Sequence, residues 1–184
     1  MNYLDKFFSK TELLNLYKLK NLIRYNNKTR LKDENVAEHS YYVAIIGLKL
    51  CDKFKLNNNI RLKVITKALL HDMPEMYIND ITHDAKIILD INDNINKFER
   101  YYYMSEYPKY TTLMKQKKDL VSTIVVIADI LSAKQYILNE MALGNQSLDI
   151  VDIDKQLDAR LKEQYELLIN FKEIKEYEAK ILGN

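Results

Sequence analysis

Apolar side chains recur every three or four residues along most of this chain, which is the spacing of an amphipathic helix. The clearest stripe predicts a helix that begins near Asp33 or Asn35 and ends near Phe54. Its members are Val36, His39, Val43, Ile46 and Leu50. Because His39 belongs to this apolar stripe, the pattern predicts that its side chain points into the protein.

Similar patterns predict further helices, separated by polar or proline-containing segments. They cover residues 9 to about 24, after an S-x-x-E capping box at Ser9 and Glu12, then 60 to about 72, 84–103, 111 or 112 to near 144, and 153–182. Loops are expected at 25–34, 57–59, 79–82 and 107–108. The sequence therefore predicts an all-α bundle of about six or seven helices.

The composition agrees with one helical domain over residues 1–184, since the chain has only three Gly and two Pro for turns. Cys51 is the single cysteine, which excludes an internal disulfide and fits a reducing cytoplasm. Its apolar surroundings predict a buried structural thiol. The N-terminus lacks the features of a signal peptide, and no apolar stretch approaches the roughly 18 residues of a membrane span, so no membrane partner is expected.

The net charge of +2 is too small to indicate nucleic-acid binding, but the charge is unevenly distributed. Residues 10–32 carry seven basic residues against one acid, Glu12. Such a run is usually a solvated face. Because it leads directly into the candidate site, a role in holding phosphate is the alternative interpretation.

Two of the three histidines, His39 and His71, each stand next to an acidic residue in the sequence. The set His39, His71, Asp72 and Asp129 supplies imidazole and carboxylate, the ligand types of Mn, Co, Fe, Zn or Mg ions. Taken singly, His39 could be a core histidine, and Asp129 a buried carboxylate paired with Lys or Arg. An ionised Asp inside a helix bundle is costly unless it is paired or binds a metal.

These residues resemble the H…HD…D series of the HD-domain phosphohydrolases. More closely, Arg24-Tyr25 followed by Glu34-Asn35-Val36-Ala37-Glu38-His39, and His71-Asp72 followed by Glu75 and Asp80, resemble the bacterial HD-domain 5′-deoxynucleotidases. The resemblance covers roughly residues 12–145. It implies an all-α HD domain, one divalent metal ion and hydrolysis of nucleoside 5′-phosphates.

Carried over position by position, the resemblance implies a role for each motif residue. His39, His71, Asp72 and Asp129 would bind the metal, and Arg24 would hold the phosphate. Glu75 would orient or deprotonate the attacking water, Tyr25 would pack against the sugar, and Asp80 would face the sugar or assist the leaving group. Lys86 is close enough in sequence to assist phosphate binding.

Three positions depart from that group. Tyr25 replaces a Trp, Asn79 replaces a Gly, and His83-Asp84 stands in place of a proline-rich turn. The Trp disfavours a 2′-hydroxyl in the group, so sugar discrimination is open here. His83 is either a surface loop residue or a contact to phosphate or a second metal.

The leading prediction is a cytoplasmic 5′-deoxynucleotidase, in bacteria or in the host cell if phage-encoded, and the resemblance implies a homodimer or higher homo-oligomer. The first alternative is a triphosphohydrolase acting on a dNTP such as dATP. The second is a catalytically silent nucleotide-binding HD domain. A helical nucleic-acid binder using residues 10–32 comes last, because no recognition module accompanies the charge.

Overall fold

The computed structural model describes the backbone of residues 10–182 and the side chains of residues 14–82, 85–177 and 179. The regular structure of this part is helical, apart from one antiparallel bridge between Ile23 and Asn35. The helices are α1 (Lys10–Lys18), α2 (Val36–Lys53), α3 (Asn58–Leu70), α4 (Glu75–Ile78), α5 (His83–Ile88), α6 (Asn92–Glu106), α7 (Thr111–Lys115), α8 (Leu120–Ala142), α9 (Leu148–Leu168) and α10 (Lys172–Leu182). The all-α prediction is confirmed. Ser9 of the predicted capping box and the His83 side chain lie outside the described residues.

The described part contains more helices than the predicted six or seven, because three predicted helices are each divided in two. The breaks lie at residues 89–91, 116–119 and 169–171. At the second break the side chain of Asp119 accepts a hydrogen bond from the Ser122 backbone N–H (2.8 Å) and caps α8. The first helix also ends earlier than predicted, at Lys18, because the chain up to Arg24 turns into the bridge that closes the 25–34 loop.

Helix α8 is the centre of the bundle and packs against α2, α3 and α9. One cluster of buried side chains joins α2, α3 and α8 and includes Val43, Val64 and Ile124. A glycine permits this close packing: a Cβ at Gly47 of α2 would lie 2.8 Å from Val64 Cγ1. The three helices that carry the predicted metal ligands are therefore held together directly.

A second cluster lies between the C-terminal half of α8 and α9, with Ile137, Ile150 and Leu157 at its centre. Helix α8 ends as predicted, before Gly144 in the left-handed region (φ 99°). The N–H groups of Gly144 and Asn145 donate to the carbonyls of Met141 and Glu140, which is the Schellman pattern.

Helix α8 also corrects the expectation that no stretch reaches the length of a membrane span. Residues Leu120–Ala142 are long and apolar enough to cross a bilayer by length and composition. Most of this helix is buried inside the protein, so its apolar composition reflects its place in the core. Cys51 is fully buried in the same core, as predicted, and burial raises the pKa of its thiol to about 11.

Candidate active site

The predicted metal ligands come from the facing sides of α2, α3 and α8. His39 lies in the first turn of α2, whose N-cap residue Asn35 accepts a hydrogen bond from the Glu38 N–H. His71 and Asp72 directly follow α3, and Asp129 lies in the middle of α8. The packing of these helices brings together residues that are up to 90 positions apart in the sequence.

Three of these residues form a group in which one ligand atom from each lies within 4.8 Å of the others: His39, His71 and Asp72. The Asp72 Oδ2 atom is 3.1 Å from His71 Nε2 and 3.9 Å from His39 Nε2. Asp129 adjoins this group through His39, with its Oδ1 atom 3.0 Å from His39 Nε2. Two imidazole nitrogens and two carboxylates thus converge on one small region.

The surroundings of the His39 and His71 Nε2 atoms test whether this region fits a metal ion. Both are buried, and neither has a hydrogen-bond partner among the described residues, although carboxylate oxygens lie close by. On the other side of the His71 ring, Nδ1 lies 2.7 Å from the Ala68 carbonyl oxygen, which can only accept. Neutral His71 therefore carries its proton on Nδ1 and directs an unprotonated Nε2 at Asp72, as a metal ligand requires.

His39 has two competing partners at its Nδ1 atom. The Arg24 guanidinium lies 2.5 Å away and can only donate, whereas the Ser132 hydroxyl lies 3.2 Å away and can donate or accept. With Arg24 in place, neutral His39 carries its proton on Nε2. With Ser132 as acceptor, the proton lies on Nδ1, and Nε2 is free to bind a metal.

Arg24 is held between acidic side chains at the edge of this region. Its Nη1 atom donates to Glu34 Oε2 at 2.8 Å, and its Nη2 atom lies 4.0 Å from Asp129 Oδ1. The backbone fixes the same arrangement, since the Arg24 N–H donates to the Glu34 carbonyl at 2.9 Å. Glu34 itself is buried, so Arg24 is positioned by a carboxylate that faces away from solvent.

Glu75 lies at the start of α4, in the turn that Pro74 introduces after His71 and Asp72. Burial, together with the negative charges of Asp72 and Asp80, raises its pKa to about 9. Burial alone would lower the pKa of His71, but the nearby negative charge of Asp72 outweighs burial and raises the pKa to about 9. Burial would raise the pKa of Asp72, but the charge of His71 holds it well below its usual range. Perturbed groups of this kind cluster at functional sites.

Tyr25 and Asp80 line the same cavity as Arg24. The Tyr25 ring is stacked on Tyr136 with centroids 5.1 Å apart, and the Arg24 guanidinium lies 5.3 Å from the Tyr25 ring centre. Burial raises the pKa of Asp80, while Arg24 lowers it. Arg24, Tyr25, Asp80 and Lys86 all line one cavity of about 510 Å³.

Two backbone positions beside these side chains have positive φ angles without being glycine. They are Tyr25 (φ 55°) and Asn79 (φ 62°, ψ 173°). The Asn79 conformation is one that glycine adopts readily and other residues rarely adopt. The Gly-to-Asn departure predicted to matter at this position therefore places strain directly before Asp80.

The 25–34 loop has an anchor on α8 that sequence patterns did not indicate. The buried carboxylate of Glu140 accepts hydrogen bonds from the N–H groups of Leu31 (2.7 Å) and Lys32 (2.8 Å) and from the Asn145 amide (2.7 Å). The Tyr136 hydroxyl donates to the Lys32 carbonyl at 2.7 Å. The acidic residues of a helix are usually exposed, and only the tertiary position of the loop identifies Glu140.

The sequence of the chain matches the profile of a family described as YfbR-like 5′-deoxynucleotidase over residues 12–182. No curated protein matches it significantly. Among solved structures, an HD-domain phosphohydrolase of Listeria innocua is similar, at 24% identity and a TM-score of 0.69, over 94% of this chain and 95% of that one. A conserved hypothetical protein of Pyrococcus furiosus is 27% identical, with a TM-score of 0.66, over 85% of this chain and 99% of that one.

A third similar structure is the HD phosphohydrolase DatZ of cyanophage S-2L, solved with dA and one catalytic Zn²⁺ ion. It is 14% identical to this chain, with a TM-score of 0.68, and the match covers 96% of this chain and 99% of DatZ. At such identity the likeness shows a shared fold. The family profile extends the earlier resemblance, which ended near residue 145, through α9 and α10 to residue 182.

Proposed function

The chain belongs to the family of YfbR-like 5′-deoxynucleotidases, and from this premise we propose that it hydrolyses deoxynucleoside 5′-monophosphates to deoxynucleoside and phosphate. It is a metal-dependent phosphohydrolase of the HD type. The observation that carries the proposal is the pair of buried Nε2 atoms that face Asp72 and Asp129 without hydrogen-bond partners.

His39, His71, Asp72 and Asp129 would hold the divalent metal ion, and imidazole and carboxylate ligands suit Co, Mn, Zn, Mg and Fe ions alike. When bound, such an ion polarises the phosphoryl oxygens and lowers the pKa of water. Its binding through His39 Nε2 requires the proton of that ring on Nδ1, with Ser132 as acceptor. Arg24 then leaves Nδ1, and the substrate phosphate gives its guanidinium a new bidentate partner.

Glu75 and Asp80 are the groups proposed to move protons. Glu75 accepts the proton of the attacking water as the water oxygen forms its bond to phosphorus. Burial and the charges of Asp72 and Asp80 raise its pKa to about 9, and compensation of the Asp72 charge would lower this pKa, as a general base requires. The bond between phosphorus and the 5′ oxygen breaks, and Asp80, whose pKa burial raises, donates a proton to the leaving oxygen.

A dNTP triphosphohydrolase is the second candidate, and the solved DatZ structure with dA makes a deoxyadenosine substrate worth testing. The positive charge at Lys28, Arg30 and Lys32 would suit the longer phosphate tail of a dNTP. Lys28 pairs with Asp149 (3.3 Å) and Arg30 pairs with Asp33 (2.6 Å). Because carboxylates already compensate two of these three charges, the monophosphate is the better-supported substrate.

The test is product analysis by chromatography with dNMPs, dNTPs and ribonucleotides, each with single divalent metals and with EDTA. We expect nucleoside and phosphate from dNMPs, and loss of turnover with EDTA. Asp72→Ala should lose metal binding and more than about 100-fold in kcat, since each 1.4 kcal/mol of lost stabilisation is tenfold in rate. Glu75→Gln should keep the metal and lose about 100-fold in kcat.

Asp93→Ala, an exposed acid on α6, is the matched control and should leave both properties unchanged. Full activity with bound metal in Asp72→Ala would overturn the metal assignment. Release of triphosphate from one dNTP would favour the second candidate. Binding of nucleotides without turnover by any metal would indicate a catalytically silent domain.

We also propose that the protein acts as a homodimer in the cytoplasm. The family resemblance and the single, buried thiol of Cys51 support this proposal. Light scattering of the purified chain tests the oligomeric state.

A further inference from the structure

The cavity that contains Arg24, Tyr25 and Asp80 extends away from the metal ligands to the first half of α9. Its volume of about 510 Å³ lies within the range of roughly 300–1,000 Å³ that small-molecule sites occupy. The family resemblance, which ends near residue 145, implies no substrate-binding residue on α9. Its position opposite Arg24 makes it the second wall of this cavity.

One face of α9 forms this wall. Each lining residue has another member of the set three or four positions away, as one helix face requires: Asp149, Asp152, Ile153, Gln156, Leu157 and Arg160. If the phosphate binds at Arg24 and the sugar lies beside Tyr25 and Asp80, the base of a nucleotide continues along the cavity toward this face. This step rests on the proposed function.

The chemistry of the wall suits a base. The partly buried Ile153 offers apolar surface for a flat ring, and Asp149 is already paired with Lys28. Among the described residues Gln156 has no hydrogen-bond partner, and Asp152 has only a loose contact with the exposed Lys155, at 3.7 Å. Asp152 and Gln156 are one helical turn apart, about 6 Å along the axis, so one base edge can reach both.

We propose that Asp152 and Gln156 bind the edge of the nucleotide base and select bases that carry an exocyclic amino group. A carboxylate only accepts hydrogen bonds, so Asp152 attracts an amino group and repels a carbonyl oxygen at the same position. The amide of Gln156 donates and accepts, so it binds a ring nitrogen and the amino group together. Adenine and cytosine fit this pattern, whereas hypoxanthine and uracil present a carbonyl instead.

Matched substrates test the selection directly, because dCMP and dUMP, or dAMP and dIMP, differ at the amino or carbonyl position. We expect the wild-type kcat/KM to favour dCMP over dUMP, and dAMP over dIMP, by about tenfold, the effect of one hydrogen bond gained and one repulsion avoided. Asp152→Asn should reduce both ratios to near one, because its amide can donate to the carbonyl. Gln156→Ala should lower kcat/KM for the amino substrates most.

Glu163→Gln and Gln164→Ala, farther along α9 and outside the cavity, are the matched controls and should preserve the ratios. Calorimetric binding of deoxyadenosine and deoxyinosine, and of deoxycytidine and deoxyuridine, measures the same selection without turnover. If no dNMP is hydrolysed, the proposed function fails, and these titrations still decide on the base wall. Equal ratios in the wild type and Asp152→Asn, by either measurement, would overturn the inference.

Discussion

At the scale of single residues, the site depends on how each titratable group is compensated. His71 donates from Nδ1 to the Ala68 carbonyl and faces the Asp72 carboxylate with Nε2. Without a metal, a second proton on His71 compensates the negative charge of Asp72, and the pKa of this histidine is therefore raised. A divalent cation and this proton therefore compete for the same position.

This competition predicts a pH-dependent stability of the metal-free protein. The pKa of His71 is raised from 6.5 to about 9, and that of Glu75 from 4.5 to about 9. A group with a raised folded-state pKa stabilises the protein below its unfolded pKa, and this contribution is lost as the pH rises through the folded value. The pKa values of Asp72 and Asp129 are lowered in the folded state, so the stability that these two residues contribute is fully present above about pH 4.

We therefore expect the Tm in EDTA to fall between pH 6.5 and pH 9. With Mn²⁺ or Zn²⁺ present, the gain in Tm should grow over the same range, because the ligand nitrogen must be unprotonated. Calorimetric melting at four pH values, with and without metal, measures both effects. A flat Tm in EDTA together with a constant gain from metal would contradict the assignment of His71, and Asp93→Ala serves as the control that keeps the wild-type profile.

The convergence of His39, His71, Asp72 and Asp129 could be predicted from the sequence because their positions on or beside apolar helix faces already fix where they point. The role of Ser132 could not, because a serine one turn after Asp129 has many ordinary explanations. Only the packing of α2 against α8 brings its hydroxyl within 3.2 Å of His39 Nδ1. The strained backbone at Asn79 could not be predicted from the sequence either, because a positive φ in a non-glycine residue depends on the tertiary path of the chain.

At the scale of elements, one stripe of α8 connects the proposed metal site to the 25–34 loop. The stripe consists of Asp129, Ser132, Tyr136 and Glu140, which recur at intervals of three or four residues. Asp129 and Ser132 both contact His39. Tyr136 stacks on the Tyr25 ring, and Glu140 accepts hydrogen bonds from the backbone of residues 31 and 32. The helix thus fixes the metal ligands and the loop that follows Arg24 relative to each other.

Glu140→Gln tests the loop anchor. The carboxylate accepts three hydrogen bonds from N–H donors, and an amide nitrogen would meet one of those donors instead. We expect a loss of about 1–3 kcal/mol in the free energy of unfolding, since a buried donor is left unsatisfied. We also expect KM to rise several-fold with a smaller change in kcat, because Arg24 and Tyr25 become less ordered while the metal ligands stay in place.

Chemical denaturation and steady-state kinetics measure the two effects, and metal affinity is the internal control. Glu163→Gln makes the same chemical change on an α9 surface position and should alter neither. A loss of stability with unchanged KM would show that Glu140 stabilises the fold without positioning the 25–34 loop for substrate binding.

Helix boundaries were predicted less well than helix existence, and the break before α8 shows the reason. Residues 116–119 contain no Gly or Pro, so the pattern predicted one long helix across them. In the structure the buried ammonium of Lys67, on α3, donates to the carbonyl of Leu113 at 3.0 Å, to the carbonyl of Gln116 and to the Ser122 hydroxyl. A side chain about 50 residues away stabilises the break, and this contact cannot be read from the local sequence.

At the scale of the whole molecule, the C-terminal helices complete the core that holds the metal ligands. The earlier resemblance ended near residue 145, whereas the family match extends to residue 182. Leu168, at the end of α9, and Ile174, in α10, are buried in the same cluster as Val43, Val64 and Ile124. A core shared in this way predicts that residues 1–184 unfold as one domain.

Ile174→Ala tests this prediction because the side chain is fully buried and lies far in sequence from every metal ligand. Truncating a buried isoleucine should lower the free energy of unfolding by about 2–5 kcal/mol. For a chain of this size the Tm should fall by about 5–15 °C. If the domain is single, circular dichroism and the unfolding-linked release of bound metal should report the same shifted transition, with metal affinity at 20 °C unchanged.

Ile88→Ala is the matched control, because Ile88 lies on α5 with 79% of its surface exposed, and the change should move the Tm by no more than about 1 °C. The two probes separate the alternatives. If α9 and α10 formed an independent unit, Ile174→Ala would shift only part of the dichroism change and leave metal release at the wild-type temperature. A common shift means that the helices holding the metal ligands and the helix proposed to read the base fold and unfold together.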